Sequence, residues 1–346
     1  VEPGLLEAMQ NRTLVLIDAF NPQDIANVWW ALAKLDASVK EELMEALEAR
    51  AVATASSFNA QDIANLVWAL ATSGKHFGDE LLQVMMTRAT VQVNWSKPQE
   101  IASMVWALAK LGADVDTELL QAMQGRAAAT VGSFNPQEIS NFLWAMAKMN
   151  ATVDVGLVEA MMARARETLS GFNTQGVAML MWALAQLKFP VDKGFLGALE
   201  SWVQESRDFS KPQELINVLC SLAKMDITLS GAWVDAMQKQ ALAMVRSFHA
   251  QDICQLMWAL AKMEVVVHGE LLRAVMKRTT QTSSSFGAQS ISNLLWALAT
   301  LEANVDPGCL EALQSLALAR VDSLKARDVA NVMWALATMG ERADRE

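Results

Sequence analysis

Tryptophan recurs every 38 residues along the chain, and this period limits the possible folds more than any other feature. The series runs from Trp30 to Trp334 and has one double step, centred on Cys220, where the surrounding motif persists without the ring. Nine copies follow one another without insertion or deletion, beginning near residues 20, 58, 96, 134, 172, 210, 248, 286 and 324. In solenoids, each repeat needs its neighbours to bury its apolar face. The sequence therefore predicts a single α-solenoid over residues 1–346, in which residues 1–19 form a half-repeat.

The first helix of each repeat, helix A, begins with strong N-terminal signals. In the first copy it is predicted to run from about Pro22 to Leu35. Asn21 is a favoured N-cap residue, proline suits the first helical position, and Asp24 occupies the place of the acid in a capping box. The later segment Asn135–Glu138 repeats this pattern, so the same start is predicted there.

The second helix, helix B, is predicted from about Glu41 to Thr54, because its apolar residues recur at helical spacing. The chain opens on a helix B, Leu5–Leu16, and closes on a helix A, Val329–Met339. Strand patterns are absent, so the predicted fold class is all-α, an α-α superhelical solenoid of nine 38-residue two-helix repeats. Several copies of helix B open on a cap residue, namely Asp116, Asp154, Asp192, Ser230 and Asp306.

A helical wheel places helix A in the inner layer of the solenoid and helix B outside it. A helix that is apolar around most of its circumference must be buried on most sides. Small residues in the columns of Ala26 and Ala33 are predicted to let neighbouring helices approach closely. The apolar arc consists of Ile25, Val28, Trp29, Leu32 and Leu35. The remaining arc consists of Gln23, Asp24, Asn27, Ala31 and Lys34, with Trp30 at its border.

The polar arc is predicted to form a ridge that faces the groove of the solenoid in every repeat. Its first column is Gln23, Gln61, Gln99, Gln137, Gln175, Gln213, Gln251, Gln289 and finally Arg327. Its second column is Asn27, Asn65, Ser103, Asn141, Met179, Asn217, Gln255, Asn293 and Asn331. Its third column contains Lys34, Lys110, Lys148, Lys224 and Lys262.

These columns predict contact with single-stranded RNA. Amide and hydroxyl groups hydrogen-bond base edges, and helical-repeat proteins that bind single-stranded RNA present two or three such side chains per repeat. The lysines are predicted to bind phosphates. A second interpretation stays open, because a constant amide can also bond a neighbouring helix and stabilise the stack, and the helix dipole alone favours lysine at a helix C-terminus. The variable second column is the stronger candidate for base recognition.

The tryptophan column is predicted to pack in the core between repeats, since large aromatic rings contribute much of the burial energy there. Stacking on RNA bases is the alternative for this column.

A second basic column lies at the end of helix B, where Arg50 is predicted to form a salt bridge with Asp62 at the start of the next helix A. Arg164 and Arg278 precede Gly176 and Ser290, which are not acidic, so these two arginines are predicted to be freer to bind RNA phosphates. The column consists of Arg12, Arg50, Arg88, Arg126, Arg164 and Arg278.

Composition and motifs restrict the function. The formal charge of −10 is unfavourable for nucleic-acid binding, although much of the negative charge falls on helix B. The apolar stretches are far shorter than the roughly 20 residues of a membrane span. The three cysteines lack metal or disulfide spacing and are predicted to be packing residues in a reducing compartment. Without a glycine-rich phosphate loop or a repeated His–acid pair, we predict no enzyme activity, no cofactor, no metal and no small-molecule substrate.

The run Phe20–Leu35 contains Asn-Pro-Gln-Asp followed by Asn-x-x-Trp-Ala-Leu-Ala, and at its 38-residue period it resembles the octotricopeptide repeat family over the whole chain. The resemblance implies a paired-helix solenoid that binds organellar RNA. It implies a role in the processing, stability, splicing or translation of chloroplast or mitochondrial transcripts. By position, it assigns RNA contact to the ridge residues at 23, 27 and 34 and their equivalents.

A protein–protein interaction scaffold, or a subunit of a large organellar assembly, is the alternative function, because acidic solenoids bind basic partners readily. Since the chain begins at Val1 and not at methionine, we expect a fragment of a longer protein, with any targeting segment outside it.

Overall fold

The computed structural model describes residues 2–36, 38–74, 77–205 and 209–343. These residues form eighteen α-helices and no β-strand. The chain divides into two compact units, Val1–Gly171 and Phe172–Glu346. Within each unit, helices A and B alternate and pack in a repeated, solenoid-like arrangement, so the predicted all-α fold class is confirmed. That one stack continues over residues 1–346 stays a prediction.

The A helices form the more closely packed layer of each unit. Consecutive A helices lie side by side and pack on one another more extensively than consecutive B helices do. In the first unit they are α2 (Pro22–Lys34), α4 (Ala60–Ser73), α6 (Pro98–Leu111) and α8 (Pro136–Lys148). In the second unit they are α10 (Thr174–Gln186), α12 (Pro212–Lys224), α14 (Ala250–Lys262), α16 (Ala288–Thr300) and α18 (Ala326–Ala343).

The B helices form the second layer, and a 3-10 turn such as Ile17–Ala19 follows most of them. None of the described helices is long and apolar enough to cross a membrane. In the first unit the B helices are α1 (Pro3–Leu16), α3 (Glu41–Ala53), α5 (Asp79–Gln92), α7 (Thr117–Thr130) and α9 (Val155–Glu167). In the second unit they are α11 (Lys193–Gln204), α13 (Gly231–Met244), α15 (Gly269–Gln281) and α17 (Pro307–Ala319).

The predicted helix starts at Pro22 and Glu41 are confirmed, whereas the first and last helices begin before the predicted Leu5 and Val329, at Pro3 and Ala326. Asn21 Oδ1 accepts a hydrogen bond from Asp24 N at 3.0 Å, and Asn21 N donates to Asp24 Oδ2 at 3.1 Å. These two bonds form the expected capping box and satisfy N–H groups that the helix start would otherwise leave unpaired. The box recurs between Asn135 and Glu138. The predicted caps of helix B each accept a bond from the backbone N–H three residues later: Asp116, Asp154, Asp192, Ser230 and Asp306.

The apolar arc of helix A supplies the core of each unit. Ile25, Trp29 and Leu32 are buried, while Val28 is half-buried in the first repeat and its equivalent Phe142 is fully buried. Leu35 departs from the prediction and is 47 % exposed, because it is the C-cap residue beyond the last turn of α2.

The placement of Ala31 on the polar arc is wrong. Its equivalents Ala69, Ala107 and Ala145 are fully buried. A methyl group is too short to reach the surface where consecutive A helices pack closely. This column therefore shares the close-approach role that the sequence assigned to the columns of Ala26 and Ala33, whose members such as Ala102 and Ala109 are also buried.

The predicted salt bridges of the arginine column are wrong for the residues that the structure describes. Arg50 Nε donates instead to the carbonyl oxygen of Phe20 at 3.0 Å, 30 residues earlier. The expected acidic partner is already engaged, since Asp62 Oδ2 accepts a bond from Asn59 N in the capping box of α4. The guanidinium thus satisfies a carbonyl just before helix A of its own repeat. The same bond joins Arg88 to Phe58 at 2.9 Å, Arg126 to Ser96 at 2.9 Å, Arg164 to Phe134 at 3.0 Å and Arg278 to Phe248 at 2.8 Å.

A left-handed residue ends helix A in eight successive repeats. Gly74 and Gly112 take this position with φ of 63° and 67°. Behind Gly112, Ala113 N donates to Leu108 O at 3.1 Å, which is the bond of a Schellman motif. The other six repeats place a non-glycine residue there, with φ between 47° and 55°: Asp36, Asn150, Lys188, Asp226, Glu264 and Glu302.

Alanine at Gly112 is expected to lower the free energy of unfolding by about 1 kcal/mol, because a Cβ strains a left-handed backbone. The same substitution at Gly125, inside α7, is expected to raise it by about 0.5–1 kcal/mol, because alanine is the better helix former. No atom lies within 4 Å of the added Cβ at either site, so the two substitutions differ in backbone conformation alone. Urea unfolding followed by circular dichroism measures both, and changes of the same sign would contradict the assigned conformations.

Candidate functional site

Each A helix carries a stripe of four side chains at positions i, i+4, i+7 and i+11. In α2 these are Gln23, Asn27, Trp30 and Lys34, all of them exposed. Side chains three or four residues apart lie on one face of a helix. We call the nine stripes together the A ridge. It comprises Gln23, Asn27, Trp30 and Lys34; Gln61, Asn65, Trp68 and Thr72; Gln99, Ser103, Trp106 and Lys110; Gln137, Asn141, Trp144 and Lys148; Gln175, Met179, Trp182 and Gln186; Gln213, Asn217, Cys220 and Lys224; Gln251, Gln255, Trp258 and Lys262; Gln289, Asn293, Trp296 and Thr300; and Arg327, Asn331, Trp334 and Thr338.

The A ridge is basic although the chain is acidic. It holds five lysines, one arginine and no acidic residue, a formal charge of +6, whereas the whole chain carries −10. Negative charge lies elsewhere, for example at Glu41, Glu42 and Glu45, which are exposed on α3. The net charge of the chain therefore does not describe this face.

The first column of the A ridge is exposed in every repeat. A role in stabilising the stack would require bonded partners. Gln175 Nε2 lies 4.0 Å from Met179 Sδ, and Gln213 bonds Asn217. The other glutamines make no hydrogen bond to a described residue: Gln23, Gln61, Gln99, Gln137, Gln251 and Gln289. Most of this column is therefore available to a ligand.

A different glutamine column joins neighbouring repeats, and it was absent from the sequence-based candidates. Gln124, in α7, donates through Nε2 to Thr152 O at 3.0 Å and accepts from Asp154 N at 3.1 Å. Gln10 and Gln238 make the equivalent pair of bonds. All three are buried and recur at multiples of 38 residues. That spacing is the signal that could have identified them.

The tryptophan column contacts neighbouring repeats as predicted, but the prediction that it lies in the core is wrong. Trp30 and Trp334 are 44 % and 47 % exposed, and the tryptophans between them in the column are half-buried. The ring centroids of Trp30 and Trp68 lie 6.5 Å apart, and those of Trp106 and Trp144 lie 6.4 Å apart. Helical spacing explains the exposure, because this column lies three residues after the second column and four before the lysine column.

Lysines stand over these rings in the first unit. Lys34 Nζ lies 5.7 Å from the ring centroid of Trp30 and 4.8 Å from that of Trp68. Lys110 Nζ lies 4.9 Å from the ring centroid of Trp106. A cation within about 6 Å of a ring face is attracted to it. Aromatic and cationic groups thus share one surface beside the amides.

A cavity of about 120 Å³ opens between α4 and α6. Two stripes of the A ridge meet around it, so one polar space receives side chains from neighbouring repeats. Its lining consists of Gln61, Ala64, Asn65, Lys97, Gln99, Glu100 and Ser103.

The A ridge is arranged differently around α12. Gln213 Nε2 donates to Asn217 Oδ1 at 2.9 Å and to Gln255 Oε1 of the next repeat at 3.4 Å. Nearby, Lys262 Nζ forms an ion pair with Asp226 at 2.8 Å. Here the ridge side chains satisfy one another, and α12 is also the A helix whose stripe has Cys220 in place of tryptophan.

The thiols of Cys220 and Cys254 are expected to react slowly with iodoacetamide at pH 8. Burial raises the pKa of each thiol to about 12, so the reactive thiolate is reduced about a thousandfold relative to an ordinary cysteine. Alkylation of the native chain followed by mass spectrometry measures the rates, with the urea-unfolded chain as control. Equal rates in the two states would contradict the burial.

Arg164 and Arg278 lie at the C-terminal ends of α9 and α15 and are not part of the A ridge. The expectation that they are freer than the other arginines is wrong, because each makes the same bond to a backbone carbonyl. Arg164 also forms an ion pair with Glu167 at 3.1 Å. Their contact with RNA stays a prediction, as does that of the A-ridge residues.

Family models match most of the chain. One described as Tbc2 translation factor, N-terminal domain, matches residues 29–203, just over half of the chain. A second, described as RNA-editing substrate-binding complex 6 protein, matches residues 191–345. A third, a protein of unknown function (DUF1601), matches residues 6–28.

No curated protein matches the chain. Among solved structures, the crystal structure of an engineered protein is 15 % identical and aligns over 95 % of this chain and 88 % of its own, with a TM-score of 0.23. A TM-score this low says nothing about the fold.

Proposed function

The chain belongs to the family of the Tbc2 translation factor N-terminal domain, and from this premise we propose that it binds single-stranded RNA along the A ridge. We further propose that it acts on organellar transcripts, in their processing, stability or translation. The second family match, over residues 191–345, is to an RNA-editing substrate-binding complex protein, so this part of the chain is also similar to a protein connected with RNA. The resemblance to octotricopeptide repeats, and with it a chloroplast or mitochondrial location, is part of this proposal.

The observation that carries the proposal is the composition of the A ridge. Amides, tryptophans and lysines alternate in the stripes of each unit, and none of the ridge side chains is acidic. Proteins that bind single-stranded nucleic acid combine a positive surface for the backbone with aromatic rings for the bases. Amides add hydrogen bonds to base edges. The A ridge presents all three groups at intervals of one repeat.

Each column of the A ridge has a different role in the proposed RNA binding. The lysines neutralise phosphates and release counterions. The half-exposed tryptophans offer ring surface for stacking, which tolerates any base. The first and second columns distinguish bases, because amide and hydroxyl groups bond different edges. Repeat proteins that work in this way contact about one base per repeat.

Fluorescence anisotropy of short single-stranded RNAs, titrated with the full chain across a salt series, tests the proposal. Saturable binding is expected, and log K should fall linearly with log salt concentration. Replacing Lys110 and Lys148 together by alanine should reduce the magnitude of that slope by about 0.7 for each phosphate that is no longer neutralised. Lys239→Ala, at an exposed position on the B helix α13, is the matched control and should leave the slope unchanged.

A protein scaffold is the competing outcome. The acidic residues exposed on α3 would suit a basic protein partner. Absence of RNA binding even at low salt, together with recovery of a basic protein partner, would replace RNA binding by this function.

A further inference from the structure

Side chains from neighbouring stripes of the A ridge share the cavity between α4 and α6. Gln61 and Asn65 come from one helix, and Gln99 and Ser103 come from the next. The two glutamines are exposed, while Asn65 and Ser103 are half-buried. None of the four bonds another described residue. Their donors and acceptors are therefore available to one ligand placed between the helices.

Glu100 gives this cavity a buried acceptor. Its Oε2 accepts a hydrogen bond from Lys97 N at 2.8 Å, in the cap of α6. Lys97 lines the same space, so its positive charge offsets that of the carboxylate, and the selectivity of the site rests on hydrogen bonding. An ionised carboxylate only accepts hydrogen bonds, so it favours a base edge with an amino group. Adenine, cytosine and guanine have exocyclic amino groups, and uracil has none.

The space between α12 and α14 provides a contrast. There Gln213 bonds both Asn217 on its own helix and Gln255 on the next one. In this column, Gln61 thus makes no hydrogen bond to a described residue, whereas Gln213 is bonded to other side chains of the protein. Both glutamines are exposed second residues of an A helix, so they form a matched pair for substitution.

We propose that one RNA base is recognised between two neighbouring A helices and not by a single helix, an inference that rests on the RNA binding proposed above. In the site between α4 and α6, Gln61, Asn65, Gln99 and Ser103 contact the same base. Glu100 makes that site favour a base with an exocyclic amino group over uracil. The site between α12 and α14 contributes little, because its amides bond each other.

Selection from a random pool of single-stranded RNA by the full chain tests this arrangement. Asn65→Ser and Ser103→Asn, made separately, are expected to change the base preference at the same nucleotide, because both side chains line one cavity. Glu100→Gln is expected to admit uracil at that nucleotide, since glutamine retains the acceptor needed for the cap. Ser103→Ala is a smaller second variant at the same position. Thermal melting of each variant establishes that it is folded.

Substitution of Gln61 and of Gln213 gives a second test of the site between the helices. With the selected RNA, Gln61→Ala is expected to weaken binding about fivefold or more, and Gln213→Ala by less than about twofold. Preference changes at two different nucleotides, or equal losses for the two glutamines, would overturn the inter-helix site while leaving RNA binding intact. If the wild-type chain enriches no RNA from the pool, RNA binding itself is overturned, and the site with it.

Discussion

Replacing Trp29 by alanine is expected to lower the free energy of unfolding by about 3 kcal/mol, whereas replacing the adjacent Trp30 costs about 1 kcal/mol. Trp29 is 1 % exposed and lies in the core of the first unit, while Trp30 is 44 % exposed on the A ridge. Truncating a buried tryptophan removes its transfer energy and leaves a cavity. Trp30 loses mainly its packing against the ring of Trp68, whose centroid lies 6.5 Å away.

The value for Trp29 lies at the low end of the usual range because its indole N–H is buried without a hydrogen-bond partner, and truncation also removes this unpaired donor. Urea unfolding of the two variants and the wild type measures the difference. Each variant changes the same residue type in α2, so one serves as the control for the other. Equal losses would place both columns in the core and contradict the exposure of the A ridge.

Replacing Trp106 and Trp144 together by alanine is expected to weaken RNA binding by about thirtyfold or more. The two rings lie 6.4 Å apart on neighbouring A helices, and Lys110 stands 4.9 Å above the ring of Trp106. Stacking of a base on an aromatic side chain contributes about 1–3 kcal/mol, so removing two such rings costs at least about 2 kcal/mol. Anisotropy titration at fixed salt, with an RNA that the wild-type chain binds, measures the change.

Two controls separate stacking from other effects. The double substitution Trp106→Phe and Trp144→Phe retains aromatic rings and should recover most of the affinity. Trp95→Ala removes a tryptophan that is 70 % exposed but lies in the 3-10 turn before α6, outside the A ridge, and should leave affinity unchanged. An alanine double variant with wild-type affinity would exclude the tryptophan column from RNA binding.

Local signals made the helices predictable. The bonds of a capping box join residues three apart, so Asn21 and Asp24 indicate the start of α2 without any knowledge of the tertiary fold. The observed ends, Lys34 in α2 and Ala53 in α3, differ by one residue from the predicted ones. The 38-residue period then predicted two helices in each later complete repeat and a closing helix A, although α18, Ala326–Ala343, extends beyond the predicted Val329–Met339 at both ends.

Side-chain partners that are distant in sequence were harder to predict. The bond from Arg50 to the carbonyl of Phe20 depends on how helix B packs against the start of its own repeat, and no residue pattern encodes a backbone acceptor. The 38-residue spacing could have identified the column of Gln124, but its bonding partners could not be predicted, because they are backbone groups of the following repeat.

The prediction that the tryptophan column lies in the core was wrong for a different reason. Residue type favoured the core, whereas the spacing of Gln23, Asn27, Trp30 and Lys34 already placed the ring on the polar face. The buried aromatic column of the repeats is phenylalanine, at the residue before the N-cap of helix A. Its members are Phe58, Phe134, Phe172, Phe248 and Phe286.

Photo-crosslinking tests the central claim most directly. A short RNA that carries 4-thiouridine would be bound to the full chain, irradiated, and its adducts located by peptide mass spectrometry. Adducts are expected on peptides of the A helices, at A-ridge residues such as Trp106 and Lys148, and should disappear when unlabelled RNA competes. RNA binding by the A ridge would be contradicted if adducts were confined to B helices such as α3, or if unlabelled RNA displaced none of them.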